Sequence, residues 1–262
     1  MTAAQTDAVA EAVLVERRGR VQVITLNRPQ ARNAVDRAVA EAIEAAIDEL
    51  ERDPDLTVGV LAGNGPAFCA GMDLKAFARG ESVRTPTRGF AGLTALPPRK
   101  PLIAAVEGPA MGGGFEIVLA CDLVVAAETA RFGLPEVRRG LIASGGGVLR
   151  LVKRIPYNRA LEMMLTGEPL DARTGYDLGL VNRVVAPGEA VSVALQLAEM
   201  IAANAPLALA ALKRVVVESP DWPVGEAFAR QDEIADPIRQ SNDAREGALA
   251  FAEKRAPRWS GS

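Results

Sequence analysis

The chain contains no histidine among its 262 residues. An isolated chain of this kind cannot build a serine–histidine or cysteine–histidine catalytic arrangement, and it cannot bind zinc through imidazole. Proton transfer by imidazole is excluded for the same reason. If the protein moves protons during a reaction, its carboxylates are the leading candidates for the groups that carry them.

Cysteine is also scarce. The two residues present, Cys69 and Cys121, stand in apolar surroundings without CxxC spacing. This pattern argues against a disulfide framework or a zinc site, so we expect no metal and a reduced, cytoplasmic chain. The first twenty residues lack the basic and apolar segments of a secretory signal, and no later stretch reaches about 18 uninterrupted apolar residues. We therefore expect neither export nor a membrane span.

An excess of positive charge is likewise missing, because 30 Lys and Arg face 33 Asp and Glu for a formal net charge of −3. Binding to nucleic acid or to an anionic membrane surface needs concentrated positive charge. We expect neither as a partner. The hydrophobic content of 49% at this length indicates one large domain, or one domain with a smaller appendage.

Strand-like and helix-like segments alternate through the first half of the chain. Two β-rich runs, 12–17 and 21–26, flank Gly19 and predict a hairpin. The segment from Asp36 to Glu51 has apolar residues at helical spacing and predicts an amphipathic helix. Three further apolar runs predict strands, at 56–63, 101–108 and 122–128. Because helical or glycine-rich segments separate them, we expect an α/β fold with an at least partly parallel sheet.

The remaining segments are less uniform. Residues 76–100 are polar, rich in Arg and Gly and weakly periodic, which predicts a mobile surface segment with one short helix. From Tyr157 onward only 180–185 has strand character, and Asp243 with Glu246 predicts a capping box that opens the last helix. Helical patterns occupy the rest of this region, at 157–166, 172–179, 189–204, 206–217, 224–236 and 243–254.

Two glycine-containing loops carry the strongest functional signal. AFCAGMDLKAF (67–77) and VEGPAMGGGFEIVLACD (106–122) each lead from a strand-like run into a helix start, where backbone N–H groups lack intrahelical partners. Two such donors that converge would form an oxyanion hole, and glycines at 112–114 would leave the approach open. The alternative is that GGG only permits close helix–strand packing. A phosphate cradle has little support, since GxxxxGK[ST] is absent and GxGxxG is incomplete.

Two glutamates near these loops are candidate proton carriers. Glu116 lies three residues after Gly113 inside an otherwise apolar segment, so it is either functional or part of a buried ion pair. Glu136 follows a proline in a glycine-bounded loop. Its alternative interpretation is a solvated acid, or a partner of Arg138 or Arg139.

With these residues in view, the chain resembles the enoyl-CoA hydratase/isomerase (crotonase) family over nearly its whole length. The segments that carry the resemblance are ITLNRP (24–29), FCAGMDLK (68–75), IAAVEGPAMGGGFEIVLACDLVVAAETARFGLPE (103–136), LTGEPLDA (165–172), GLVNRVV (179–185) and FAEKRAPRW (251–259). The resemblance implies a crotonase-like ββα spiral core over residues 1–190, with the CoA site and active site. It also implies a helical C-terminal region for oligomerisation over residues 191–262.

The same resemblance implies a role for each matching residue. The backbone N–H groups of Met72 and Gly113 would bind a thioester oxygen, with Glu116 as general base and Glu136 as general acid. Retention of both glutamates favours an enoyl-CoA hydratase, which adds water reversibly and syn to a trans-2-enoyl-CoA and gives a 3-hydroxyacyl-CoA. No metal or redox cofactor is implied, since coenzyme A is part of the substrate.

The resemblance also implies binding residues and partners. Four residues would border the adenine and phosphate groups of the CoA: Ala70, Asp73, Leu74 and Lys75. Phe251 and Lys254 would approach the CoA of a neighbouring subunit, since the family forms trimers that pair into hexamers. We therefore expect an acyl-CoA substrate and a homotrimer or a dimer of trimers.

Two positions depart from the family pattern. Ser144 stands where a typical hydratase has glycine, and Glu107 stands where many members have asparagine. The segments GGGFE, RGFAGLT (88–94), SGGGVLRL and FAEKRAPRW are closer to the carnitinyl-CoA dehydratase (crotonobetainyl-CoA hydratase) subgroup. The alternatives are therefore that activity, another acyl-CoA lyase or isomerase of the family, or an inactive acyl-CoA-binding protein.

Overall fold

Strands and helices alternate along residues 11–262, the part of the chain that the computed structural model describes. Residues 1–10, with which the predicted core range 1–190 begins, lie outside it. The strands are β1 (Val13–Arg18), β2 (Val21–Leu26), β3 (Val58–Gly63), β4 (Arg84–Thr85), β5 (Gly89–Phe90), β6 (Leu102–Val106), β7 (Pro109–Met111), β8 (Leu123–Ala127), β9 (Arg131–Gly133), β10 (Leu170–Asp171) and β11 (Arg183–Val185). The helices are α1 (Arg37–Arg52), α2 (Leu74–Ala78), α3 (Gly113–Ala120), α4 (Gly147–Arg154), α5 (Tyr157–Thr166), α6 (Ala172–Asp177), α7 (Ala190–Ala202), α8 (Pro206–Glu218), α9 (Ala227–Arg239) and α10 (Asn242–Glu253).

The main sheet has six strands in the order β1-β2-β3-β6-β8-β11. Strands β1 and β2 form the predicted antiparallel hairpin, and every other neighbouring pair in this sheet is parallel. Parallel neighbours need crossover connections, and the intervening segments provide them. The predicted hairpin and the predicted sheet, expected to be at least partly parallel, are both confirmed.

The two faces of the sheet are both covered. On β2, Ile24 and Leu26 point to one core with Val39, Ile43 and other residues of α1, whose N-cap is Asp36. Val21 and Val23, earlier in the same strand, point to a second core on the opposite face. There α7 packs on the strands through alanines, whose small side chains allow the helix to lie close to the sheet.

A smaller sheet, in the order β10-β9-β7, stands beside the main one. Strand β7 follows β6 directly and leads into Gly112 and α3. An isolated parallel bridge joins Cys69 to Ala110 of β7, so the segment before Gly71 runs alongside the segment before Gly112. This pairing brings the two glycine-containing loops to the same place.

The segment 76–100 differs from its prediction as a mobile surface segment. Phe90, Ala91 and Leu93 are buried, and β4 and β5 pair as a short antiparallel hairpin. The side chain of Arg88 is nearly buried and forms an ion pair with Asp48 at 2.7 Å. The polar composition misled the prediction because the arginine is anchored inside the structure, where it fixes the hairpin against α1.

The start of the last helix also differs from its prediction. The N-cap of α10 is Ser241, whose hydroxyl accepts a hydrogen bond from the Ala244 N–H at 3.0 Å. Asp243 instead accepts from the backbone N–H groups of Ser260 and Gly261, while Glu246 pairs with Arg255. The predicted capping box is therefore wrong, because the returning C-terminal segment engages both acids.

The other helical predictions in the C-terminal third are confirmed to within a few residues, whereas α4 and β10 were not predicted. Within residues 11–262, no single helix has both the length and the apolar composition needed to cross a bilayer. Helix α7 and the segment Pro206–Asp221 reach that threshold only as a pair bent by 106°.

Candidate active site

The two candidate oxyanion loops are in direct contact. The Met111 N–H donates to the Cys69 carbonyl at 2.9 Å, which ties the loops together one residue ahead of Gly112. A Cβ atom placed on Gly71 would lie 2.8 Å from the Met111 carbonyl oxygen and 2.9 Å from the Gly113 nitrogen. Gly71 also has a φ of 91°, which favours glycine. Both the space and the backbone conformation therefore require glycine here.

Two backbone donors remain free at this contact. Gly113 is the first residue of α3, and the N–H groups of a first helical turn have no intrahelical acceptor. Met72 forms an isolated bridge with Val35, whose bonds run through Gly71 and Asp73 and leave the Met72 N–H unused. Neither N–H donates to another group of the described chain. Both can donate to a ligand oxygen.

Phe90 forms a wall beside these donors that the sequence did not indicate. Its ring lies so close to Gly113 that a Cβ atom there would be 2.3 Å from Phe90 Cζ. Glycine at 113 therefore permits the aromatic ring to approach the free N–H. The interpretation of GGG as a packing device alone accounts for Gly114, which faces the Cys69 carbonyl, but leaves the donor at Gly113 unexplained.

Glu116 is buried on the first turn of α3, with 4% of its surface exposed. Its Oε1 accepts a hydrogen bond from the Gly147 N–H at 2.8 Å, at the start of α4. Burial raises the pKa of Glu116 above its ordinary value, although the backbone N–H groups of Gly147 and Gly145 and the charges of Arg150 and Arg84 oppose this rise. Glu116 is therefore a desolvated carboxyl that forms no salt bridge within residues 11–262.

This contact accounts for two of the three glycines at 145–147. A Cβ atom on Gly145 would lie 2.6 Å from Glu116 Oε2, and one on Gly147 would lie 3.0 Å from Oε1. The segment SGGG is thus shaped around the carboxylate, with α4 beginning at its last glycine. A glycine triplet ahead of a helix was the available signal, but its partner lies 31 residues away in the chain.

Glu136 lies on a 3₁₀ turn, Pro135–Arg139, that follows β9. Its Oε2 is buried and has no hydrogen-bond partner in the part of the chain described. Burial raises the pKa of Glu136 above its ordinary value, and a hydrogen bond from its own backbone N–H opposes this rise. The nearby charge of Glu116 raises the pKa further, and the charge of Arg139 lowers it by less. Arg138 pairs with Glu168 instead. Within residues 11–262 Glu136 forms no salt bridge with Arg138 or Arg139, and its buried Oε2 does not fit an ordinary solvated acid.

These groups share one cavity of about 610 Å³. Six of the predicted site residues line it: Ala70, Met72, Leu74, Gly113, Glu116 and Glu136. Ser144, one of the two departures from the family pattern, also lines it. The cavity thus brings two free N–H donors and two carboxyl groups with raised pKa values to a single space.

Asp73 lies next to this cavity, and its carboxylate is bound by other groups of the protein. Its carboxylate caps α2 by accepting from the Lys75 and Ala76 N–H groups, and it pairs with Arg28 at 3.2 Å. Burial alone would raise the pKa of Asp73, but the N–H groups and Arg28 outweigh it and hold the pKa below its ordinary value. Arg28 also pairs with Asp36 at 3.0 Å, so this cluster joins the loop to the start of α1.

Lys75 is exposed on α2, and Phe251 and Lys254 lie at the C-terminal end of α10 with Phe251 87% exposed. None of the three lines the cavity formed by residues 11–262.

Glu107, the second departure from the family pattern, lies outside the cavity and accepts hydrogen bonds from the Gly188 and Ala190 N–H groups at 2.8 Å. It therefore caps α7, which lacks a cap from its own N-cap residue.

No group of three or more metal-ligating side chains comes together in residues 11–262. The arrangement can polarise a carbonyl oxygen through backbone donors and can transfer protons through carboxyl groups.

Known proteins are similar to this chain in sequence and in fold. A family profile described as enoyl-CoA hydratase/isomerase matches residues 16–262. The enoyl-CoA hydratase EchA19 of Mycobacterium tuberculosis (strain ATCC 25618 / H37Rv) is 44% identical over 253 residues, which cover 94% of this chain and 95% of that protein. The carnitinyl-CoA dehydratase of Salmonella typhi is 42% identical over 261 residues, which cover 97% of this chain and 100% of that protein.

A crystal structure of an enoyl-CoA hydratase from Mycobacterium tuberculosis H37Rv matches with a TM-score of 0.95 and 55% identity, covering 96% of this chain and 100% of that chain. This likeness confirms the α/β, crotonase-like fold that the sequence resemblance implied. Because the family profile and both relatives extend over almost the whole length, the chain belongs to the enoyl-CoA hydratase/isomerase family.

Proposed function

We propose that the protein is an enoyl-CoA hydratase, a hydro-lyase that adds water reversibly and syn to a trans-2-enoyl-CoA to give a 3-hydroxyacyl-CoA. One observation carries the proposal: two carboxyl groups with raised pKa values share a cavity with two free backbone N–H donors. The name of the relative EchA19 supports the same activity.

In this mechanism the thioester oxygen accepts hydrogen bonds from the N–H groups of Met72 and Gly113. Addition of water at the β-carbon moves electron density through the double bond onto that oxygen, so fixed donors stabilise the transition state more than the substrate. The contact between Gly71 and Gly113 supports two donors close enough to act on one atom.

The two glutamates complete the addition. Glu116 accepts a proton from water as its oxygen bonds to the β-carbon, and Glu136 donates a proton to the α-carbon from the same face. One proton thus leaves Glu136 and one reaches Glu116, and exchange through water resets the pair. Burial raises the pKa of Glu136, which favours the protonated, proton-donating form relative to an ordinary glutamate.

The CoA portion of the substrate is proposed to lie along Ala70, Asp73, Leu74 and Lys75, with no cofactor besides the CoA that the substrate carries. The contacts of Asp73 suggest that it acts by holding α2 and its loop rather than through direct contact.

The test is loss of enoyl thioester absorbance with crotonyl-CoA, combined with product analysis that distinguishes hydration from isomerisation. Glu136→Gln should lower turnover on the order of 10²–10⁴-fold if Glu136 is the general acid. The matched control is Glu168→Gln, an acid on the protein surface. Unchanged turnover in folded Glu136→Gln protein would contradict the assignment.

Two alternatives are tested with the same protein. A carnitinyl-CoA dehydratase would prefer crotonobetainyl-CoA in a substrate panel, and the Salmonella typhi relative motivates that comparison. An inactive acyl-CoA-binding protein would bind thioesters but convert no acyl chain into product.

We propose in addition that residues 1–190 act as the catalytic core and that residues 191–262 assemble the chain into a homotrimer or a dimer of trimers. Large apolar side chains exposed on α8 to α10 support this role, among them Leu212, Val216, Val224, Phe228 and Phe251. Phe251 and Lys254 would then reach the CoA bound to a neighbouring copy. Sedimentation of the wild type and of Phe228→Lys tests the assembly.

A cytoplasmic location is proposed from the two thiols. Cys69 and Cys121 are both free and buried, and burial raises the pKa of each to about 12. Such thiols are unreactive, and the chain has no other cysteine with which to form a disulfide.

A further inference from the structure

Three arginines line the cavity: Arg32, Arg84 and Arg139. None of the three forms a salt bridge or a side-chain hydrogen bond with another described residue. Arg32 lies at the CoA end, since its carbonyl accepts from the Ala70 N–H. Arg139 belongs to the same 3₁₀ turn as Glu136 and acts on its charge. Arg84 acts on the charge of Glu116, but less strongly than Arg150 does, and it forms no ion pair with a described carboxylate.

The cavity's remaining acid does not neutralise Arg84. Glu81 also lines the cavity, but its carboxylate already accepts from Arg79 at 2.6 Å and 2.9 Å. Glu116 is compensated mainly by Arg150, whose charge lowers its pKa more strongly than that of Arg84 does. The guanidinium of Arg84 thus keeps five N–H donors free for a ligand.

The position of Arg84 is set by the hairpin that bears it. Arg84 and Phe90 are directly paired residues of β4 and β5, and side chains of such a pair lie on the same face. The Phe90 ring packs on Gly113, so this face borders the candidate oxyanion hole. Arg88 fixes the hairpin through Asp48 and through the Leu96 carbonyl at 2.6 Å. Arg84 is therefore held on the cavity wall beside the reacting end of the substrate.

We propose that Arg84 determines the charge of the acyl group that the site accepts, and that it favours an acyl chain ending in a carboxylate over one ending in a quaternary ammonium. This inference rests on the proposed function, because it assumes that the cavity takes an acyl-CoA. A carboxylate can accept two N–H groups of one guanidinium, a geometry that adds strength and selectivity. A cationic chain end would meet an unpaired like charge, which discriminates against it.

The test measures binding of three saturated thioesters of similar length by calorimetry: glutaryl-CoA, pentanoyl-CoA and 4-trimethylammoniobutyryl-CoA. These lack the double bond, so binding is read without any hydration. Wild-type protein should bind glutaryl-CoA most tightly and the ammonium compound least. Arg84→Met should reduce the preference for glutaryl-CoA over the ammonium compound by about tenfold or more, the value of one charge-assisted contact.

Two further variants separate the charge of Arg84 from its geometry and provide a control. Arg84→Lys keeps the charge but loses the two-point geometry, so it should retain part of the preference. Arg173→Met removes an exposed arginine from α6 that is not one of the residues lining the cavity, and it should leave all three affinities unchanged.

The outcomes separate this inference from the proposed function. An identical preference in wild type and Arg84→Met overturns it. Equal weakening of all three thioesters and of free CoA also overturns it, because Arg84 would then contact the CoA. Failure to hydrate crotonyl-CoA would count against the proposed function alone, since the binding ratios do not depend on turnover.

Discussion

Gly71 and Gly113 lie so close together that a Cβ atom on Gly71 would be 2.9 Å from the Gly113 nitrogen. The two loops that supply the candidate oxyanion donors therefore meet without any side chain between them. The spacing of the donors depends on this contact, which is sensitive to a single methyl group.

Gly71→Ala should separate the donors and lower turnover by about 10²–10³-fold, the loss seen when one oxyanion donor is displaced. Gly80→Ala is the matched control. Gly80 also has a positive φ, of 78°, but a Cβ atom there would meet nothing within 4 Å. Backbone strain should cost both variants about 1–2 kcal/mol of stability. Gly71→Ala should lose more, because its Cβ meets backbone atoms, and it alone should lose activity. Equal turnover in the two would contradict the role of the contact.

Glu116→Gln should abolish most activity, and its stability relative to the wild type should rise with pH. Burial raises the pKa of Glu116, so the folded protein keeps a proton that the unfolded chain has released. Stability from this group is thus complete below the ordinary pKa and is lost as the pH rises through the raised one. Glutamine has no such dependence and can still accept from Gly147. Urea denaturation of both proteins at about pH 4.5 and about pH 8 measures the effect; a stability difference that does not grow with pH would refute it.

Asn33→Gly should destabilise the protein and disturb the loop 67–72. The buried Asn33 side chain accepts from the Arg28 N–H and donates to the Asn64 and Ala67 carbonyls at 2.9 Å and 2.8 Å. Glycine tolerates the φ of 55° at this position, so the variant removes the side chain without adding strain. We expect a loss of about 2–3 kcal/mol in chemical denaturation, with slower turnover of crotonyl-CoA.

The control for that variant is Asn27→Ala, whose side-chain bonds are exposed. It should change stability by no more than about 0.5 kcal/mol. If both variants lose the same stability, Asn33 does not anchor the loop.

Glu107→Ala should remove the cap of α7 and cost about 1 kcal/mol of unfolding free energy. Because Glu107 lies outside the catalytic cavity, kcat and KM for crotonyl-CoA should stay the same. Thermal denaturation and steady-state kinetics measured together check both statements, and a changed KM would show that this departure from the family pattern affects the substrate.

Much of the fold followed from local pattern. The hairpin around Gly19 and the helix capped by Asp36 depend on period and turn residues within one segment, so the sequence alone sufficed. The partial burial of 76–100 depends instead on Arg88 reaching Asp48, 40 residues away. Composition predicts exposure for such an arginine, because it contains no information on distant partners.

The candidate site, too, was predictable from the sequence only in part. Glycine spacing predicted the free donor at Gly113, since helix starts always leave N–H groups unpaired. The glycine cradle of Glu116 and the Phe90 wall could not be predicted, because each joins segments that only the folded chain brings together.

The short hairpin β4–β5 forms a sheet of its own, separate from the strands that lead to Gly113 and Glu136. The wall that meets the acyl chain is therefore built on a different piece of polypeptide from the groups that carry out the reaction. Substitutions in the hairpin that keep Phe90, whose ring packs on Gly113, can change this wall and leave the reacting groups in place. This separation gives a physical route by which one scaffold can change the range of acyl-CoA thioesters that it accepts while its chemistry stays the same.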